Sequence, residues 1–223
     1  MNDISDWLKL SALEKSNWLL ENYQACNRSV AYRKQVFGFG INDATYSAQP
    51  KLFGVKVRCP AYVAWSDMIR RCNYKKYQDR FPTYKGVLVC SEWKSFSSFR
   101  EWWVINHVDG WELDKDILTD SGYYSPQSCI YVPRWLNVLN NERKSARGDC
   151  PIGVDFHRGL YRSRCKNPIT MRSDYLGHFK CKMEASHAWM RRKLELAHEL
   201  KDEMDSIDER IYPRIVSIIS NAS

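Results

Sequence analysis

The chain has 223 residues, 44% of them hydrophobic, and a formal net charge of +8. These values fit one or two small globular domains, and the absence of a long apolar run excludes membrane spans and a membrane partner. The start MNDISDWLKL lacks a signal-peptide pattern, so we expect a cytoplasmic protein whose eight cysteines are reduced. A zinc site is a less favoured alternative, because no usual ligand spacing links Cys59, Cys72, Cys90 and Cys129.

Charge is unevenly distributed along the chain. Residues 61–100 carry eight Lys and Arg against three Asp and Glu, and residues 141–200 carry thirteen against seven. Residues 101–140, between them, carry two against six. An enzyme that cleaves nucleic acid needs acidic residues to bind a cation and basic surface to bind phosphates. Scattered solubilising charge is the alternative interpretation.

Helical periodicity dominates the N-terminal part of the chain. Residues 5–25 predict a core or interaction helix. A second helix is predicted over 59–72, where Pro60 suits the first turn. Its apolar stripe consists of Tyr62, Trp65, Met68, Ile69 and Cys72. Arg70 and Arg71 lie off the stripe, either to contact phosphates or as part of a solvated face.

The next segment, 74–86, is basic with interleaved tyrosines. This mixture is typical of nucleic-acid-binding loops and also occurs on ordinary surfaces. A short strand is predicted over 87–90, and Ser91 is a candidate cap for the helix that follows. The aromatic residues of that helix recur every three to four positions and are predicted core: Trp93, Phe96, Phe99, Trp102 and Trp103.

Residues 111–141 predict a strand, a loop, a second strand and a helix. Apolar and acidic residues alternate over 111–114, and 130–132 is rich in β-forming residues. Pro133 suits the first turn of the helix, because its missing N–H has no intrahelical partner there. One face of that helix is polar and carries Arg134, Asn137 and Asn141.

This ββα order resembles the metal finger of the HNH nucleases. In that family the first strand ends in Asp-His, where the Asp binds a divalent cation and the His deprotonates the attacking water. An Asn or His on the helix is the second protein ligand. Asp114 and Asn137 match the two ligand positions. The resemblance therefore implies that these two residues hold Mg²⁺ or Mn²⁺.

The chain departs from the family at the general base, where it has Lys115. Lysine is protonated at neutral pH, and Asp114 and Asp116 on either side favour the charged form. We therefore interpret Lys115 as an electrostatic clamp on the scissile phosphate rather than as a base. In one alternative the site is degenerate and Lys115 is a solvated strand residue. In another, the nearby His107 folds back as the missing base. The candidate catalytic residues are accordingly Lys115, Asp116 and His107.

The words LDKDIL, YSP and CIYVP also resemble bacteriophage HNH-type proteins that carry Lys at this position. This resemblance implies that the protein acts as a homing-type nuclease in the cytoplasm of the bacterial host cell.

A polar, basic run over 142–151 predicts a domain boundary. Beyond it, turn-separated strands lead into an amphipathic helix whose apolar stripe is Ala185, Trp189, Leu196, Leu200 and Met204. The words IGV, LYRSR, LGHF and EASHAW resemble the DNA-binding domain of plant APETALA-type ethylene-response factors. That resemblance implies a three-stranded antiparallel sheet in the major groove of double-stranded DNA. The candidate DNA-binding residues are Arg158, Tyr161 or Arg162, Arg164 and Arg172, together with Arg134, Asn141 and Lys144.

The predicted fold class is α+β: an HNH-like ββα finger followed by a small three-stranded antiparallel sheet packed on an amphipathic helix. The expected segments are an N-terminal region (1–58), a nuclease domain (59–147), a DNA-binding domain (148–210) and a tail (211–223). The apolar part of the tail either packs on the domain or mediates a homodimer.

The predicted function is a divalent-metal-dependent DNA endonuclease or nickase. One active centre per chain implies a nick, and two cuts require a dimer or two binding events. A catalytically degenerate DNA-binding protein that keeps the finger as scaffold is the main alternative. An RNA-binding factor is a further alternative that rests on basic charge and tyrosines alone.

Overall fold

The computed structural model describes residues 3–140 and 150–221. These residues form two compact units that divide between Tyr131 and Val132, and each unit is described by itself. Both helices and strands are present, so the predicted α+β class is confirmed. The predicted boundary at 147/148 falls in the segment 141–149, which lies outside the described residues.

The first unit is mainly helical, with short paired strands. Its helices are α1 (Ile4–Lys9), α2 (Ala12–Asn22), α3 (Asn27–Ala31), α4 (Pro60–Asn73), α5 (Lys75–Arg80) and α6 (Phe96–Asn106). Its strands are β1 (Lys51–Leu52), β2 (Val55–Lys56), β3 (Leu88–Val89), β4 (Glu112–Asp114), β5 (Tyr123–Tyr124) and β6 (Ile130–Val132), the last of which crosses the division. The pairs are β1 with β2 (antiparallel), β3 with β5 (parallel) and β4 with β6.

The helix predicted over 5–25 is interrupted and forms α1 and α2. Leu10 and Ser11 have extended backbones, and the Ser11 hydroxyl accepts a hydrogen bond from the Glu14 backbone N–H. The Glu14 carboxylate in turn accepts one from the Ser11 N–H. This capping box satisfies N–H groups that a new helix start would otherwise leave unpaired, so it fixes the break.

Aromatic side chains form the core of the first unit, as the spacing in α4 and α6 predicts. The fully buried ones include Trp65, Trp93, Trp103, Phe96 and Phe99. The cap of α6 is Ser95, which accepts from the Ser98 N–H, whereas Ser91 was predicted. The reason is that a 3-10 turn over Glu92–Lys94 separates Ser91 from the helix.

The second unit combines a sheet with helices. Its elements are α7 (Arg134–Asn140), β7 (Val154–His157), β8 (Leu160–Lys166), β9 (Ser173–Phe179), α8 (Lys182–Glu199), α9 (Lys201–Ile207) and α10 (Ile211–Ser220). Strands β7, β8 and β9 form a three-stranded antiparallel sheet in that order, and α8 contacts all three strands. The predicted sheet-on-helix arrangement is therefore observed.

One detail of the second unit differs from the sequence prediction, and the C-terminal segment packs on the domain, which is one of its two predicted alternatives. The long amphipathic helix ends at Glu199, and α9 begins after Leu200, whose backbone leaves helical geometry. The C-terminal segment is the helix α10, which contacts α8 and buries Ile211, Ile215 and Ile219. This apolar side of the predicted tail is therefore used within the chain.

Candidate functional site

The carboxylate of Asp114 is fixed at the end of β4 by the turn that follows. Its Oδ1 accepts hydrogen bonds from the backbone N–H groups of Asp116 (2.7 Å) and Ile117 (2.8 Å). Both bonds use the same oxygen, so neither of them occupies Oδ2. Burial raises the pKa of Asp114 against the opposing effect of these two bonds. A divalent cation would offset that cost, so the carboxylate fits the metal that the sequence implies.

Lys115 follows Asp114 and is buried, with a side chain that is 9% exposed. Its Nζ lies 2.5 Å from Oδ1 of Asp116 and 5.7 Å from the centroid of the Tyr124 ring. The alternative in which Lys115 is a solvated strand residue is therefore wrong, because packing on Tyr124 removes the amine from bulk water.

Thiols near Lys115 are neutral at physiological pH. Burial raises the pKa of Cys72 to about 12 and that of Cys129 to about 12, although the charge of Lys115 acts in the opposite direction on both. Over residues 3–140 and 150–221, no three His, Cys, Asp or Glu side chains gather as a ligand group, so the alternative zinc site of four cysteines is not formed. The predicted metal ligands, the Asp114 carboxylate and the Asn137 amide, would not form such a group, so their role stays a prediction.

His107 is held by residues other than those of the predicted site. Its Nε2 lies 2.9 Å from Oδ1 of Asp109, and its ring stacks on Trp103 at 4.2 Å between centroids. Asp109 also accepts a hydrogen bond from the Ala12 N–H. These contacts anchor the ring where α6 ends. The role of His107 as a base remains a prediction.

The remaining candidates around α7 belong to the second unit. Asn137 is half-buried and Arg134 is exposed. Asp114 and Asn137 thus lie in different compact units. Asn141 and Lys144 lie outside the described residues.

The sheet of the second unit has one buried and one accessible face. Val154, Ser163 and Cys165 are buried on the side of α8. Because side chains alternate along a strand, Arg162 and Arg164 lie on the opposite face. Tyr161 and Arg162, the two alternatives of the sequence prediction, therefore lie on opposite faces of the sheet. The Tyr161 ring packs on the Phe156 ring, with 5.1 Å between the ring centroids.

An acidic side chain orients the two arginines. Oδ2 of Asp155 lies 2.7 Å from Nη2 of Arg162, and its Oδ1 lies 3.2 Å from Nη2 of Arg164. The hydrogen bond from Arg162 is the largest of the effects that lower the pKa of Asp155, so this carboxylate stays ionised at neutral pH. The two guanidinium groups are therefore held side by side on the accessible face.

Three further polar residues share that face and were not predicted from the sequence. Cross-strand pairing places His178 opposite Arg162, and the hydroxyl of Tyr175 lies 2.6 Å from Nδ1 of His178. The His157 ring lies 6.3 Å from that of His178. Because side chains alternate along a strand, the strand register is enough to place these three residues on the same face as Arg162. Arg158 is in the β7–β8 turn and Arg172 precedes β9, and both are exposed.

No family model, no curated protein and no solved structure matches the chain. Among the helices that the structure describes, none combines the length and apolarity needed to cross a bilayer.

Proposed function

We propose that the chain is a divalent-metal-dependent DNA endonuclease or nickase that hydrolyses phosphodiester bonds. The observation that carries this proposal is the end of β4, where an oriented Asp114 precedes the buried cation of Lys115. A carboxylate and an ammonium group that are held partly or wholly out of water cost stability even when they are hydrogen-bonded or paired, so their presence in consecutive residues favours a functional role. The resemblance of this segment to the HNH finger supplies the type of chemistry.

In this proposal Asp114 provides a carboxylate oxygen and Asn137 an amide oxygen for Mg²⁺ or Mn²⁺, which prefer oxygen ligands. When bound, the ion neutralises the charge on the phosphate and stabilises the leaving oxygen. The backbone bonds to Oδ1 orient Asp114 before the substrate arrives. The chain therefore does not have to reorganise this ligand during the reaction.

Lys115 acts through its positive charge. Its amine is held by Asp116, so contact with DNA requires a phosphate oxygen to replace or share that carboxylate. Asp116 is the more exposed partner and moves with less loss of packing. The buried amine then stabilises negative charge on the phosphate more strongly than a solvated lysine does, because water screens it less.

Double-stranded DNA is held by the second unit. Arg162 and Arg164, both ion-paired with Asp155, present donors to phosphates or base edges from the accessible face of the sheet. One active centre per chain produces a nick, and two cuts require two chains or two binding events.

The second candidate function is DNA binding without catalysis. Lys115 favours it, because a buried amine paired with Asp116 stands where the HNH family has its general base. The sheet would then bind DNA unaided and the finger would be scaffold.

A plasmid-nicking assay with Mg²⁺ or Mn²⁺, with and without EDTA, distinguishes the two functions. We expect metal-dependent nicking that Asp114→Ala and Asn137→Ala abolish while a gel shift shows that DNA binding survives. Asp120→Ala, which removes an exposed acid from the same loop, is the matched control and should remain active. Metal-independent cleavage, or full activity in both ligand variants, would contradict the nuclease proposal. Wild-type binding without any cleavage would favour the second candidate.

A further inference from the structure

Arg71, in the last turn of α4, is a half-buried cation in an aromatic setting. Its Nη1 donates to the Tyr124 hydroxyl at 3.5 Å, and its guanidinium carbon lies 5.8 Å from the centroid of the Tyr84 ring. Its Nε is buried and donates to no acceptor in the described part of the chain. Of the carboxylates that the structure describes, none lies within 4 Å of this side chain. Arg71 therefore has spare donors and no neutralising partner.

The adjacent Arg70 differs in this respect. Its Nη2 forms an ion pair with Asp67 at 3.1 Å, and its guanidinium lies over Tyr77 at 5.0 Å. Its Nε, like that of Arg71, has no acceptor among the described residues. Asp67 thus offsets the charge of Arg70, whereas no carboxylate among the described residues offsets the charge of Arg71.

Tyr124 brings Arg71 close to Lys115. The hydroxyl of this tyrosine meets the guanidinium, and its ring lies 5.7 Å from the Lys115 amine. Burial raises the pKa of Tyr124, so the hydroxyl stays protonated and does not neutralise either cation. Burial also raises the pKa of Cys72, so this thiol is neutral although the positive charges of Lys115 and Arg71 act to lower its pKa. Two cations therefore contact one neutral aromatic residue: Arg71, which has no carboxylate partner among the described residues, and Lys115, which is paired with the exposed Asp116. Their partly desolvated surroundings strengthen the attraction for an anion.

We propose that Arg71, whose partner Tyr124 also packs against Lys115, binds a backbone phosphate of nucleic acid. A guanidinium suits this role because its planar donors match phosphate oxygens in pairs. The Nη groups of Arg71 are the donors available to the phosphate, because its Nε is buried, while Tyr124 and Tyr84 fix the plane of the group. The inference rests on the proposed function, since it adds a phosphate contact to the unit that contains Asp114.

The test measures how binding of a short labelled DNA duplex depends on KCl, in EDTA so that no cleavage occurs. Each neutralised phosphate contributes a slope of about −0.9 to the plot of log affinity against log salt. Arg71→Ala should reduce the magnitude of the slope by about 0.9 and weaken binding about tenfold at moderate salt. Arg71→Lys should keep the slope, because the charge is retained. Arg70→Ala, which removes the same charge one residue away, should change neither quantity by a comparable amount.

Thermal melts of all variants separate contact from folding. An Arg71→Ala variant that melts like the wild type but shows the smaller slope supports the phosphate contact. If Arg71→Ala unfolds early, Arg71→Gln, which keeps most of the side-chain volume without the charge, is measured instead and should show the same smaller slope. A wild-type slope in either neutral variant, at a temperature where it is folded, would overturn the inference. If the wild type binds no duplex at low salt, the proposed function fails instead, which is a different outcome.

Discussion

Lys115 and Asp116 form an ion pair between consecutive residues, with Nζ 2.5 Å from Oδ1. The side chain of the lysine is 9% exposed and that of the aspartate is 54% exposed. The cation is therefore buried and its partner lies at the surface. Because an ammonium group is strongly hydrated, this burial must be offset by the ion pair and by the Tyr124 ring. The pair can open toward solvent from the Asp116 side.

The first prediction follows from this asymmetry: Lys115 acts through charge. Lys115→Arg should retain nicking within about tenfold of the wild type, because guanidinium keeps the charge, whereas Lys115→Ala should lose about 100-fold or more. Lys115→His restores the residue of the HNH family and should raise the rate near neutral pH. Single-turnover nicking of plasmid DNA measures all three.

Two results would contradict that assignment. If the wild type is inactive and Lys115→His cleaves DNA, the finger is a scaffold and the non-catalytic function is correct. If Lys115→Arg is as inactive as Lys115→Ala while wild-type activity rises through a single ionisation at high pH, the lysine is the base.

The second prediction concerns the energetic cost of Asp114. Burial raises the pKa of this carboxyl, so the folded chain binds its proton more tightly than the unfolded chain does. Stability therefore falls as pH rises from the ordinary value of about 3.9 through the raised value. Asp114→Asn keeps an oxygen for the Asp116 and Ile117 N–H groups without the charge. It should melt above the wild type in EDTA at neutral pH and should not nick DNA.

Metal supplies the complementary measurement. Mg²⁺ should raise the melting temperature of the wild type and leave Asp114→Asn unchanged, because stabilisation requires a bound ligand. Asp114→Ala should instead destabilise the fold by about 1 kcal/mol, since two backbone N–H groups lose their acceptor. If the Asp114→Asn protein melts at or below the temperature of the wild type, the charged Asp114 carboxylate does not lower the stability of the fold.

Local patterns were enough to predict several elements of this fold. The apolar stripe of α4, the aromatic positions of α6 and the alternation in β8 each identify the face that is buried. Pro60 was placed correctly at the start of α4 because its chemistry acts within one turn. The segment 75–80, in contrast, forms α5, although the sequence predicts a loop there because its basic and tyrosine residues carry no apolar period.

Tertiary contacts account for what the sequence did not reveal. Strand β5 pairs with β3, which is more than thirty residues earlier, and no local pattern indicates that pairing. The same strand carries Tyr124, whose contacts with Arg71 and Lys115 define the cation pair. Spacing alone left Arg71 undecided between phosphate contact and solvated surface. The absence of a carboxylate partner in the described chain, which requires the structure, is what separates it from Arg70.

The third prediction tests the packing of the sheet on α8. Gly153 has φ +73°, and a Cβ there would lie 2.0 Å from Cδ1 of the buried Trp189. Gly153→Ala should therefore lower the free energy of unfolding by about 3 kcal/mol or more, from backbone strain and overpacking together. Gly159→Ala has a similar φ of +82° with no atom near the new Cβ, and should cost about 1–2 kcal/mol. Urea denaturation of both variants measures the difference, and equal losses would show that Trp189 moves freely.

The fourth prediction concerns the accessible face of the sheet. Arg162→Ala and Arg164→Ala should each weaken duplex binding and reduce the magnitude of the salt slope by about 0.9, because each removes a charge that Asp155 holds on that face. Arg191→Ala removes the same charge from an exposed position on α8, the helix on the opposite side of the sheet, and should leave the slope unchanged.

Asp155→Asn should strengthen binding to mixed-sequence DNA, since it removes the carboxylate that competes with phosphate for both arginines. Fluorescence anisotropy over a series of KCl concentrations gives each slope. If the three arginine variants shift equally, binding depends on total charge, and the sheet face is not the contact surface.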